Sequence, residues 1–195
     1  LIVDESTRAG IDPDHAEQGK VGTDGVSIAT LEDLRVALDG IDLANTPVIF
    51  EVGTNPLSLA AFFIALAQEQ NIDLAKVHGA IATDPMGELV RYATLPKSLA
   101  SAYDEMATLT QWASDHMPRM ETIAVHTYHY HNSGCNAIQE IAFALTTGVE
   151  YLTEMKARGL DVNLVAPRMR FMFTVGANFF MEIAKLRTAR MLWAQ

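Results

Sequence analysis

Apolar and polar positions alternate in blocks along this chain, each short β-branched run giving way to a longer stretch with helical spacing. Val26-Ser27-Ile28 precedes Leu31 to Leu38, Val48-Ile49-Phe50 precedes Leu57 to Gln70, and Val77 to Ile81 precedes a helix clearest over Leu99 to His116. Ile123 to Tyr128 leads into Asn136 to Arg158, and Arg170 to Phe173 into Phe179 to Gln195. In the fourth of these helices Ile138, Ile141, Ala142, Leu145, Val149 and Leu152 recur every three to four residues and form one apolar stripe. The count is five βα units, and Leu1-Ile2-Val3 reads as the tail of a sixth strand. No hairpin signal separates the strands, so the pattern predicts an α/β fold with a parallel sheet and crossover helices.

Two architectures share that pattern. A doubly wound sheet usually carries a Gly-rich phosphate loop after its first strand, and neither G-x-G-x-x-G nor G-x-x-x-x-G-K-[ST] occurs here. A (β/α)8 TIM-type barrel is therefore expected. Such a barrel closes with eight units, so five to six predict a partial barrel whose open edge another part of the barrel or another subunit covers. No linker rich in Pro, Gly or Ser divides the chain, and residues 1–195 read as one domain.

Composition narrows the function classes. With 49% hydrophobic and 19% charged residues the chain resembles an ordinary soluble globular protein. A net charge of −10, with no dense cluster among the 14 Lys and Arg, argues against nucleic acid as a partner. The longest apolar run, Leu57 to Ala67, falls well short of the ~20 residues that span a bilayer. The single Cys135 excludes an intramolecular disulfide, and no secretion signal opens the sequence, so a cytoplasmic location is expected.

The candidate chemistry lies around the fourth strand. His126, Tyr128, His129 and His131 crowd the place where it ends, and barrels carry their chemistry at the C-terminal ends of strands. Asn132 and Ser133 suit the N-cap and turn before the next helix, with Gly134 relaxing the backbone. Were the strand to continue, the three histidines could share a face and hold a divalent metal. No acid or cysteine close in sequence completes a ligand set, so no metal site is expected. Cys135 reads as a buried packing thiol, most methionines (Met169, Met172, Met181 and Met191 among them) as core filler, and Glu182, Lys185, Arg187 and Arg190 as a solvated helix face.

Ile41 to Gln70, Ile123 to Leu152 and above all APRMRFMFTVGANFFMEIAKLRTARMLWAQ, Ala166 to Gln195, resemble the substrate-binding barrel of the adenosylcobalamin-dependent acyl-CoA mutases, the methylmalonyl-CoA mutase family. Ile11 to Leu43 resembles an earlier part of the same barrel, so the similarity covers nearly the whole chain. The resemblance implies a radical isomerase acting on an acyl-CoA whose CoA arm threads the barrel axis, with adenosylcobalamin supplying the difficult chemistry. It places His129 where catalytic chains carry the histidine that bonds the thioester carbonyl, Tyr128 beside it, and Arg168 on an arginine that contacts CoA.

Other positions depart from the catalytic pattern. Ala82 replaces a glutamine that bonds the substrate carbonyl, and Arg170 replaces a small serine at the CoA tail, where it would obstruct the arm or pair with its phosphates. Asp84-Pro85-Met86-Gly87 and Tyr130-His131-Asn132-Ser133-Gly134 are similar to patterns of the non-catalytic small subunit of heterodimeric mutases. Asp12, His15 and Gly19 are spaced wrongly for the D-x-H-x-x-G signature of a cobalamin module, which this chain is expected to lack. The expected partner is a catalytic mutase subunit or the remaining part of the barrel. A catalytic barrel with an unusual acyl-CoA, and a free-standing CoA-binding scaffold, are the alternatives.

Overall fold

The computed structural model describes residues 1–195. Four strands form one parallel sheet in sequential order: β1 (Val48–Glu51), β2 (Gly79–Thr83), β3 (Met120–His126) and β4 (Met169–Met172). The helices are α1 (Glu5–Ala9), α2 (Leu31–Ala37), α3 (Pro56–Glu69), α4 (Pro85–Tyr92), α5 (Leu99–His116), α6 (Tyr128–Asn132), α7 (Ala137–Ala157), α8 (Val162–Val165) and α9 (Phe179–Trp193). Parallel β/α alternation in sequential order is the arrangement of a partial barrel.

Two expected strands shrink to single parallel bridges, Ile2 with Glu51 and Val3 with Val26. Val3 therefore lies between Val26 and the β1 side of the sheet. Gly25 explains the close approach, since a Cβ there would stand 2.4 Å from the Val3 carbonyl carbon. The expected run Ile123 to Tyr128 also ends early: β3 stops at His126, and Tyr128 begins the one-turn helix α6. The strand does not continue, and a strand's period of two would in any case put His129 and His131 on one face and His126 on the other.

Local chemistry sets the helix starts. Asp84 caps α4, with Pro85 in the first turn, where its missing N–H costs nothing. Asn136, not Asn132 or Ser133, caps α7, in a capping box with Gln139. Gly79 opens β2 at φ 142°, and a Cβ there would meet the Val48 carbonyl oxygen at 1.9 Å, so β1 and β2 pair closely because this residue has no side chain.

The core divides by face. Phe50, Phe63, Leu66, Ile81, Leu109 and Met120 belong to one cluster on the helix-covered face, and Tyr103, Met106, Val125, Tyr151 and Met155 to a second. Ala80, Ala82 and Ala124 make a separate small cluster against Ile49 and line the inward side of the sheet with the smallest side chains available. Ordinary barrels fill that side with branched residues; alanines leave it shallow.

The helix α9 meets the expected solvated face only in Arg187 and Arg190. Glu182 and Lys185 are buried, while Phe180, Ile183, Leu186 and Met191 face outward with Arg187 and Arg190. Lys185 donates to Glu140 on α7 at 2.9 Å, to the Thr174 carbonyl at 2.5 Å, and pairs with Glu182 at 2.6 Å. The charged residues thus form a buried clamp between α7 and α9, and Met181 and Met191 are surface residues, not core filler.

Candidate functional site

At the C-terminal end of the sheet one carboxylate organises the neighbourhood. Asp84 ends the turn after β2 and is 2% exposed. Its Oδ1 accepts from the Gly87 amide at 3.0 Å and the Tyr151 hydroxyl at 2.5 Å, and its Oδ2 accepts from the His126 amide at 2.7 Å. His126 Nδ1 stands 3.4 Å from the same Oδ2. Tyr151 in turn accepts from the Met86 amide at 2.9 Å. Residues from β2, β3, α4 and α7 are joined at a single acid.

The two adjacent imidazoles are tuned apart. Burial disfavours the charged form of His126, but the Asp84 carboxylate overrides it and raises the pKa above the ordinary histidine value. His129, 4% exposed, is driven by burial down to about 4 and stays neutral near pH 7. Its Nε2 is buried without a hydrogen-bond partner, 4.0 Å from Glu88 Oε1. A neutral imidazole with a free ring nitrogen suits a hydrogen bond to a ligand carbonyl. Tyr128 packs its ring against His129 at 3.9 Å between centroids, and burial pushes its hydroxyl up to about 12.

Glu88 is also buried, and desolvation raises its pKa against the pull of Arg91 and Arg8. Arg8, Glu51, Ala82, Glu88, Arg91 and Tyr128 surround a gap of only about 10 Å³ beside His126. A larger cavity of about 370 Å³ shares Arg8 and Glu88 with it. Sequence spacing does not single out Arg8, Glu88 or Arg91; their one signal is position, each lying a few residues beyond the end of a strand-like run.

Asp84, His126 and His129 lie close enough together to suggest a metal site. The nearby acid that sequence spacing fails to supply therefore comes from α4's cap, 42 residues away from His126. Its oxygens already accept from Gly87, Tyr151 and His126, so the group reads as a hydrogen-bonded anchor and not as a set of free ligands. His131 stands apart, 3.6 Å from Glu140, and Cys135 is half-buried ahead of α7.

The remaining predicted residues lie elsewhere. Arg168 directly precedes β4, at the opposite end of the sheet from His129; it is 8% exposed and donates to the Leu164 carbonyl at 2.8 Å, leaving Nε unpartnered. Arg170 pairs through Nε with Glu121, in register beside Ala124 on the inward side. Tyr128 and His129 thus share the top of the sheet; Arg168 stands four residues and Arg170 two residues below the end of β4, roughly 13 and 7 Å at ~3.3 Å per residue.

Asp12, Asp14 and His15 gather in an exposed turn.

A four-stranded parallel β/α sheet with alanines on one face and a buried His–Tyr–Asp cluster at its strand ends is the arrangement of part of a (β/α) barrel. The family model described as methylmalonyl-CoA mutase matches residues 1–195, and the chain belongs to that family. It is 35% identical over 196 residues to methylmalonyl-CoA mutase of Rhizobium meliloti, covering 100% of this chain and 28% of that protein. It is 36% identical to the methylmalonyl-CoA mutase large subunit of Porphyromonas gingivalis and 37% to that of Streptomyces virginiae, each over 196 residues, all of this chain and 27% of the relative. The chain therefore spans little more than a quarter of the length of these curated relatives. No helix is long and apolar enough to cross a membrane.

Proposed function

We propose that this chain is a barrel component of an adenosylcobalamin-dependent acyl-CoA carbon-skeleton mutase, interconverting methylmalonyl-CoA and succinyl-CoA as a complex, and that it fills the place of the small, non-catalytic subunit. The observation that carries the reading is the state of the mouth. Ala82 offers no side-chain hydrogen bond, and the gap beside it, His126 and Tyr128 has room for about 10 Å³. Arg170, the cation that would meet CoA phosphates, is already paired with Glu121. In this reading the chain's residues support a partner barrel that holds substrate and cofactor, in the cytoplasm, and the cobalamin module lies outside residues 1–195.

A second reading, a catalytic barrel for an unusual acyl-CoA, is favoured by one feature. His129 presents a neutral, buried Nε2 with no partner, the state needed to bond a thioester carbonyl. Tyr128 would then flank the acyl group, and Arg168 and Arg170 would attend the CoA arm lower in the barrel. Calorimetric titration with methylmalonyl-CoA and succinyl-CoA separates the two. Absence of heat supports the non-catalytic barrel; micromolar binding that disappears in His129→Ala overturns it.

A further inference from the structure

A second buried polar network lies at the ends of β3 and β4, and its centre is Glu140 of α7, which is 0% exposed. Glu140 Oε1 accepts from the Thr127 hydroxyl and, at 3.1 Å, from the Thr174 amide, while Oε2 accepts from Lys185 Nζ at 2.9 Å. Thr127 is equally buried; its amide donates to the Met172 carbonyl at 3.0 Å, and its hydroxyl oxygen accepts from the Thr174 amide at 2.9 Å. The Met172 carbonyl also stands 3.0 Å from the Thr127 hydroxyl. A hydroxyl has one proton to give, and the charged carboxylate is the stronger acceptor.

Thr127 is the residue at which the chain leaves β3. A β-branched side chain there favours a continued strand, yet Thr127 adopts helical backbone angles, φ −75° and ψ −14°, and α6 begins one residue later. Its side chain makes no cap bond to α6 and is committed instead to Glu140. The direction of the turn is therefore set by bonds to α7 and to the loop after β4. Two residues on, His129 is buried with its ring 6.2 Å from that of His126 and its Nε2 4.0 Å from Glu88. We propose that Glu140, oriented by its ion pair with Lys185, is a positioning residue for His129: it holds Thr127 at the turn, and α6 then leaves β3 in the direction that buries the imidazole beside His126 and Glu88. The clamp between α7 and α9 thereby acts on the strand-end cluster, through Thr127.

The test is a histidine NMR titration of the intact protein without acyl-CoA, read at His129, in wild type, Thr127→Val, Thr127→Ser, Glu140→Leu and Phe63→Leu. Valine keeps the branched shape and removes the hydroxyl; serine keeps the hydroxyl. Phe63 lies in the other core cluster and controls for loss of stability alone. In Thr127→Val a loosened turn lets water reach the ring, and the His129 pKa should rise from about 4 by about one unit. Thr127→Ser and Phe63→Leu should titrate as wild type. Glu140→Leu removes the acceptor while Glu182 still pairs with Lys185, and should reproduce the Thr127→Val shift; should it fail to fold, the Thr127 variants still decide. An unmoved His129 in Thr127→Val or in folded Glu140→Leu, or an equal shift in Thr127→Ser or Phe63→Leu, overturns the proposal. The ring concerned is the one that favours the second reading above, and because it is read without acyl-CoA, failure here is distinguishable from failure of the CoA titration.

Discussion

Tyr151 is fully buried, and its hydroxyl stands between the Asp84 carboxylate and the Met86 amide. Tyr151→Phe strands the Met86 amide and removes one of the three donors to Asp84, and urea unfolding should show a loss of about 1–3 kcal/mol. The paired histidines give opposite pH dependences. His129, with its pKa lowered to about 4 from 6.5, contributes stability that is complete above pH 6.5 and is lost as pH falls toward 4. The loss should be about 3 kcal/mol. His126, with a raised pKa, contributes stability that is complete below pH 6.5 and is lost as pH rises through its folded value. Histidine NMR titrations with urea midpoints across pH 4 to 8 check both; an unshifted His129 would refute the buried neutral ring.

Among the elements, the α7–α9 clamp is the most exposed to single substitutions. Lys185→Met leaves Glu140, 0% exposed, without its counter-ion and should lower stability by about 3–5 kcal/mol in the same unfolding assay. Gly87→Ala should also destabilise, because its Cβ would stand 2.3 Å from Asp84 Oδ2 and 2.8 Å from His129 Cδ2. Long elements are legible in the sequence: α3, α5, α7 and α9 lie within about two residues of their periodic patterns, since a stripe of apolar residues sustained over several turns fits a helix and no strand. Short ones are not. The helices α1 and α6 span a single turn and too few residues to show a period, and α4 announces itself only through Asp84-Pro85. The site is half legible: Tyr128 and His129 stand out from their place after β3, but the bonds of Asp84 to His126 and to Tyr151 span 42 and 67 residues of sequence, which local spacing cannot reveal. Of the solvated face expected on α9, Arg187 and Arg190 are exposed but Glu182 and Lys185 are buried, because a charge pattern does not say which of its members finds a buried partner.

For the molecule as a whole, the outward apolar side chains matter most. Phe179 and Phe180 are 68% and 80% exposed, Ile138 is 77% exposed, and a groove of about 280 Å³ runs between α7 and α9. β4 has no strand on its far side, so its edge is open to pairing. Residues 1–195 on their own should self-associate with rising concentration, and Phe180→Glu should reduce this in sedimentation velocity runs. Asp84 has a different consequence at this scale. Its bonds to His126 and Tyr151 close only when β2, β3 and α7 have all assembled, so the expectation to test is that they form after the main folding barrier. Asp84→Asn should leave the refolding rate nearly unchanged and shorten the lifetime of the native state, a difference that stopped-flow chevron arms resolve directly.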